Sequence, residues 1–171
     1  VSRPTPEILL TATLTLPPVA IGTSISVRFQ PTPPPIQATL TEGTLTLTFT
    51  AEQLNYALLR RFGPGVKLDR PPMVRLTPGQ IALDISLDQR AYTLLLTPSV
   101  ISTITGSHLE LKAVSITPIP NQPQLLQLKT GHTLLQSVLD VLINTNVRQP
   151  ILAYTGVSVS EVGLTMTVRV E

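Results

Sequence analysis

The sequence has no cysteine, which excludes disulfide frameworks, CxxC redox motifs and thiolate metal sites and leaves the compartment unread from redox usage. Charge is scarce as well. Only 13% of the 171 residues are Asp, Glu, Lys or Arg, against about 25% in an ordinary globular protein, and the net charge is +2. Disordered and polybasic chains need a high net charge, so both classes are excluded. Three Phe, three Tyr and no Trp provide no aromatic platform for stacked bases, and no nucleic-acid partner is expected. No apolar run reaches the roughly 18 residues of a membrane-spanning helix, and residues 1–10 (VSRPTPEILL) lack the regions of a signal peptide. A chain of this length buries roughly 70% of its unfolded surface. We therefore read residues 1–171 as a single domain with a tail at 1–7 and a Pro-rich connector at 30–37. The chain begins with Val rather than Met, which leaves room for a membrane anchor removed ahead of this numbering.

What is present in quantity is Thr, and it sits in a pattern. Apolar residues alternate with Thr, Ser or a charge at period two, the spacing of strands buried on one face. Leu14 and Leu16 alternate in this way, as do Ile25, Val27 and Phe29, and then Leu45, Leu47 and Phe49. The pattern returns at Ile81, Leu83, Ile85 and Leu87, at Leu109 and Leu111, at Val157 and Val159, and from Val162 to Val170. We count seven or eight strands. One wet face per strand points to antiparallel pairing, since parallel sheets covered by helices read as unbroken apolar runs.

Two segments follow a helical period instead. In FTAEQLNYALLRRFGPG, Thr50 caps a helix and Gln53 completes a capping box. Leu54, Leu58 and Phe62 then share one face, and Gly63-Pro64-Gly65 stops it. The second helix runs from about Pro123 to Asn144, past a weak point at Thr130-Gly131. At about 100° per residue its apolar side chains between Leu134 and Ile143 sweep roughly 200°. That exceeds the stripe of somewhat over 100° that a surface helix needs, so apolar surface is left over.

Catalytic and metal-binding signatures are absent. His108 and His132 have no ligand spacing, no GxSxG elbow exists, and the Gly63-Pro64-Gly65 turn lacks the Lys and the strand-to-helix setting of a phosphate loop. Asp84 and Asp88 share a polar strand face, which we read as a wet outer surface rather than a cation site. We expect no catalytic residue, no metal, no cofactor and no enzymatic activity. One electrostatic feature stands out. Arg60, Arg61, Lys67, Arg70 and Arg75 lie within sixteen residues that contain a single carboxylate, Asp69, and such a basic segment is suited to anionic headgroups.

Phe49-Thr50-Ala51-Glu52-Gln53-Leu54-Asn55, together with Pro123 and Leu125-Leu126 leading into the long helix, resembles the YpmS-like and LmeA-like bacterial envelope proteins. These are allied to the tubular lipid-binding (TULIP) superfamily. The resemblance covers about residues 38–171. It implies an α+β fold in which a strongly curved antiparallel β-sheet grips one long amphipathic helix, with a second, shorter helix beside it. It also implies a non-enzymatic lipid-binding domain, extracytoplasmic and membrane-anchored in the full-length protein. Joined to the helix pattern, it makes Leu54, Leu58, Phe62, Leu135, Leu139 and Leu142 the expected acyl-chain groove. Arg60, Arg61, Lys67, Arg70 and Arg75 are the expected headgroup contacts, and the partner is a lipid or an anionic membrane surface. The competing expectation is a structural or protein-interaction module at the cell surface with a dry core.

Overall fold

The computed structural model describes residues 35–171, so the alternating segments at 13–16 and 24–29 and most of the Pro-rich connector lie outside the described residues. The described residues belong to one compact unit, Thr32–Glu171. Along the chain run β1 (Gln37–Thr41), β2 (Thr44–Phe49), α1 (Ala51–Arg61), β3 (Met73–Thr77), β4 (Gln80–Leu87), β5 (Arg90–Thr103), β6 (Gly106–Thr117), α2 (Gln122–Asn146), β7 (Ile151–Val159) and β8 (Leu164–Val170). The fold is α+β and every strand pairing is antiparallel. The expected single, strongly curved sheet is replaced by two four-stranded sheets, ordered β1-β2-β8-β7 and β3-β4-β5-β6.

Period-two alternation explains the faces of both sheets. In the first, Leu47 lies opposite Met166 and Leu45 opposite Val168, and these positions turn towards the core. Thr46 opposite Thr167 and Thr48 opposite Thr165 take the other face, where the Thr48 and Thr165 hydroxyls bond at 3.1 Å. In the second, Ile81, Leu83, Ile85 and Leu87 are buried with Tyr92, Leu94 and Leu96 of β5. Side chains from both sheets and both helices form one continuous core.

Both helices begin with a capping box. Thr50 Oγ1 accepts from Gln53 N while Gln53 Oε1 accepts from Thr50 N, and Asn121 and Gln124 repeat the arrangement at α2, satisfying amides that a helix start leaves unpaired. The weak point at Gly131 does not interrupt α2; the glycine is what seats it. A Cβ on Gly131 would lie 2.5 Å from Ile85 Cδ1, so the missing side chain lets α2 settle closely on β4.

The two sheets present edges, and three of these are bracketed by side chains. On β3, the Asn55 amide of α1 donates to Val74 O at 3.0 Å and accepts from Val74 N. On β6, the Gln136 amide of α2 donates to Leu109 O at 3.0 Å and accepts from Leu111 N at 3.1 Å. On β7, Ser107 Oγ accepts from Tyr154 N at 2.6 Å and lies 3.3 Å from Tyr154 O. Each bracket supplies the donor or acceptor that a neighbouring strand would otherwise provide.

Candidate binding cavity

The leftover apolar surface of α2 has a definite place. Leu128, Leu135, Val138, Leu139 and Ile143 are buried, whereas Leu134 and Leu142 are half-buried and Val141 is 38% exposed. Val141 and Leu142 fall along the flank of α2 that faces α1. There a cavity of about 530 Å³ opens between Gln53, Tyr56, Ala57, Arg60 and Arg61 of α1 and Val138, Val141, Leu142, Thr145 and Asn146 of α2. Both sets repeat at three- and four-residue intervals, the spacing of one helix face. Pro35 and Ile36 add the remaining wall, and Gln53 fixes it, since its Nε2 donates to Pro35 O at 2.8 Å. A single buried glutamine thus caps α1 and holds the segment leading into β1.

Among the described residues the lining carries two arginines and no carboxylate. The Arg60 guanidinium carbon lies 5.8 Å from the centre of the Tyr56 ring, and its Nη1 donates to the Tyr56 hydroxyl at 3.2 Å. This orients the cation along α1 beside the opening. The walls are mainly aliphatic, the floor is closed by Val138, and the charge is positive, a combination that suits an elongated apolar ligand with an anionic end.

Of the residues singled out as an acyl groove, Leu54, Leu58, Leu135 and Leu139 are fully buried in the core. Phe62 is partly buried and packs against that core. Leu142 lines the cavity. The groove expected over one face of α2 is thus core for most of its length, and the accessible apolar surface lies a quarter-turn away, against α1. Ile36, Ala57 and Val141 were missed because no single element contains them. The α1 set was partly legible, since Ala57, Arg60 and Arg61 continue at helical spacing from Gln53.

The five headgroup candidates fall on different elements. Arg60 and Arg61 line the cavity, Lys67 and Arg70 are exposed in the connection between α1 and β3, and Arg75 lies on β3. Arg75 forms a two-pronged ion pair with Asp84 of β4, at 2.6 and 3.0 Å. Asp84 also accepts from Thr93 Oγ1 at 2.7 Å. The hydrogen bond from Arg75 holds the Asp84 carboxyl below its ordinary range, and the same bond raises Arg75. Asp88 stands in the turn after β4 with a φ of 51°, so it does not share a strand face with Asp84. Among the described residues no group of His, Asp and Glu is placed to hold a metal ion, and no helix is long and apolar enough to cross a membrane.

The opposite flank of α2 has another character. His132 Nε2 lies 2.6 Å from Leu111 O, next to the Gln136 bracket, and Gln136 Nε2 also reaches Asp140 Oδ1 at 3.2 Å. Burial, and secondarily the Asp140 charge, push the Tyr154 phenol up. Both histidines border a shallow depression here with Glu110 and Asp140, but His132 is engaged in fastening α2 to β6.

The chain matches no protein-family model and no curated protein.

Proposed function

We propose that this protein is a non-enzymatic lipid-binding domain whose ligand is a single-chain anionic amphiphile held between α1 and α2. The observation that carries the reading is the cavity itself: about 530 Å³, aliphatic along Ile36, Ala57, Val138, Val141 and Leu142, with Arg60 and Arg61 as its charged residues. Its size falls within the range of roughly 300–1,000 Å³ typical of small-molecule sites. Each buried methylene of an acyl chain contributes about 0.8 kcal/mol, so the walls supply affinity and the arginines orient the ligand. The likeness of residues 49–55 and of the start of α2 to the TULIP-allied envelope proteins supports the same reading, with an extracytoplasmic, membrane-anchored setting and a sheet gripping the long helix. A protein-interaction module acting through open strand edges fits less well, because three of the edges are already bracketed by Asn55, Gln136 and Ser107.

Titration calorimetry with a long-chain fatty acid and with a lysophospholipid tests the assignment. The expected result is saturable binding, about tenfold weaker or worse in Ala57→Trp, which fills the cavity, with an unchanged melting temperature. Arg60→Glu with Arg61→Glu weakens the fatty acid and spares a long-chain alcohol. No saturable binding by the unaltered protein, or equal binding by Ala57→Trp, overturns the reading.

A further inference from the structure

The connection between α1 and β3 is held at successive points. Val66 N donates to Gly63 O at 2.9 Å, Leu68 N to Val66 O at 3.0 Å, and Asp69 N to Ser86 O at 3.0 Å. Leu68 is buried, and its Cδ1 would lie 3.7 Å from a Cβ on Gly131. The connection is thereby laid across the first half of α2, where Val66 borders a shallow depression of about 380 Å³ with Leu126, Lys129 and Leu134. Leu126 is 67% exposed, Lys129 lines the depression with it, and Lys67 is the exposed neighbour of Val66.

The charged side chain in the lining of the depression is Lys129. Among the described residues no carboxylate lines the depression, and the one carboxylate of the connection, Asp69, is occupied by Ser86 Oγ and Gln89 N at 3.2 and 2.8 Å. Lys67, Lys129 and Arg70 are exposed. Glu110 and Asp140 border the adjoining depression, which shares Thr133 with this one. An exposed leucine beside a lysine matches the interface of an anionic bilayer, where apolar groups enter the acyl boundary and cations stay among the phosphates.

We propose that this depression is a membrane-docking face for anionic bilayers. Leu126 inserts, with Val66 and Leu134 behind it, and Lys67 and Lys129 contact headgroup phosphates. The same helix stripe joins it to the ligand cavity. Leu126, Thr130, Ser137 and Val141 fall within about 60° of one another at 100° per residue, and Leu126 and Val141 are about 22 Å apart along the axis. Docking therefore places the cavity beside the bilayer it exchanges with. That last consequence rests on the lipid-binding reading, whereas the docking itself does not.

Co-sedimentation of the whole chain with vesicles of phosphatidylcholine, alone or mixed with phosphatidylglycerol, tests the proposal. Binding to the mixed vesicles is expected, weakening steeply with salt, with little binding to phosphatidylcholine alone. Leu126→Glu combined with Lys129→Glu lowers it about tenfold or more, while Ala57→Trp, defective only in the cavity, still binds. Failure to bind the mixed vesicles, equal binding to neutral ones, or an undiminished double variant overturns the proposal. So does loss of binding in Ala57→Trp, which assigns vesicle attachment to the cavity and leaves the ligand reading standing.

Discussion

The two flanks of α2 meet different neighbours and solve different problems. Towards β6 the helix presents His132, Gln136 and Asp140, and the first two bond to backbone atoms of Leu109 and Leu111. Towards α1 it presents Val138, Val141 and Leu142, and these line the cavity. Polar residues on a helix attract attention as candidate chemistry, yet here they are fasteners. The bland aliphatic flank is the one that lines the cavity. The lesson is physical: a buried backbone edge must be paired, so the polar side chains nearest it are engaged, whereas apolar surface binds whatever excludes water.

The largest effect should come from lifting α2 off the sheet, which damages both flanks together. Gly131→Val forces a side chain against Ile85, and overpacking of this kind costs about 1–3 kcal/mol. A lowered melting temperature and weaker amphiphile binding in the same variant are expected. Separating the flanks comes next. Gln136→Leu removes the β6 bracket and leaves Leu109 O and Leu111 N without their partner, a cost also of about 1–3 kcal/mol. Chemical denaturation should show the loss while amphiphile affinity stays within twofold. Equal damage to binding would erase the distinction between the flanks.

Smaller effects sharpen the electrostatic side of the contrast. Arg75 is committed to Asp84 and is not among the cavity-lining residues, so Arg75→Ala should leave fatty-acid binding unchanged. The pair is exposed, with 60% and 33% of the two side chains accessible, and is worth less than about 1 kcal/mol. Because the folded state lowers the Asp84 pKa, that contribution is present above the unfolded carboxyl pKa of about 3.9. It is lost as pH falls through the folded value. The stability difference between the unaltered protein and Arg75→Ala should accordingly close in acid. Smallest of all, Asp140→Asn should bring the tyrosinate titration of Tyr154 back towards its ordinary range, since the Asp140 charge helps to raise it.

Much of the fold was legible where pattern is strong. β2, β4 and β8 alternate cleanly between aliphatic residues and Thr, Ser or charge, and both helices carry caps or helical spacing. The missed strands each lack a usable contrast. β1 is exposed throughout and so has no apolar face. In β3, Val74 and Leu76 alternate with Arg75 and Thr77, but Arg75 reads equally well as the end of a basic loop. β5 contains Leu94-Leu95-Leu96 and Pro98, which blur period two. The separation into two sheets was not legible, because periodicity reports a strand's faces and not its neighbours. The cavity was hidden for a related reason: it is a property of two helices and a segment before β1, while sequence periodicity describes one element at a time.

The brackets on β3, β6 and β7 also bear on self-association. A strand edge is a template for another chain, and the usual protections are lysines, prolines, bulges or a covering helix. Here part of that protection rests on three short polar side chains, Asn55, Ser107 and Gln136. Removing any one exposes backbone hydrogen-bonding groups that a second copy can engage, so its signature extends beyond weaker folding to growth of assemblies with concentration. Substitutions at these positions have consequences for self-association that their modest size conceals.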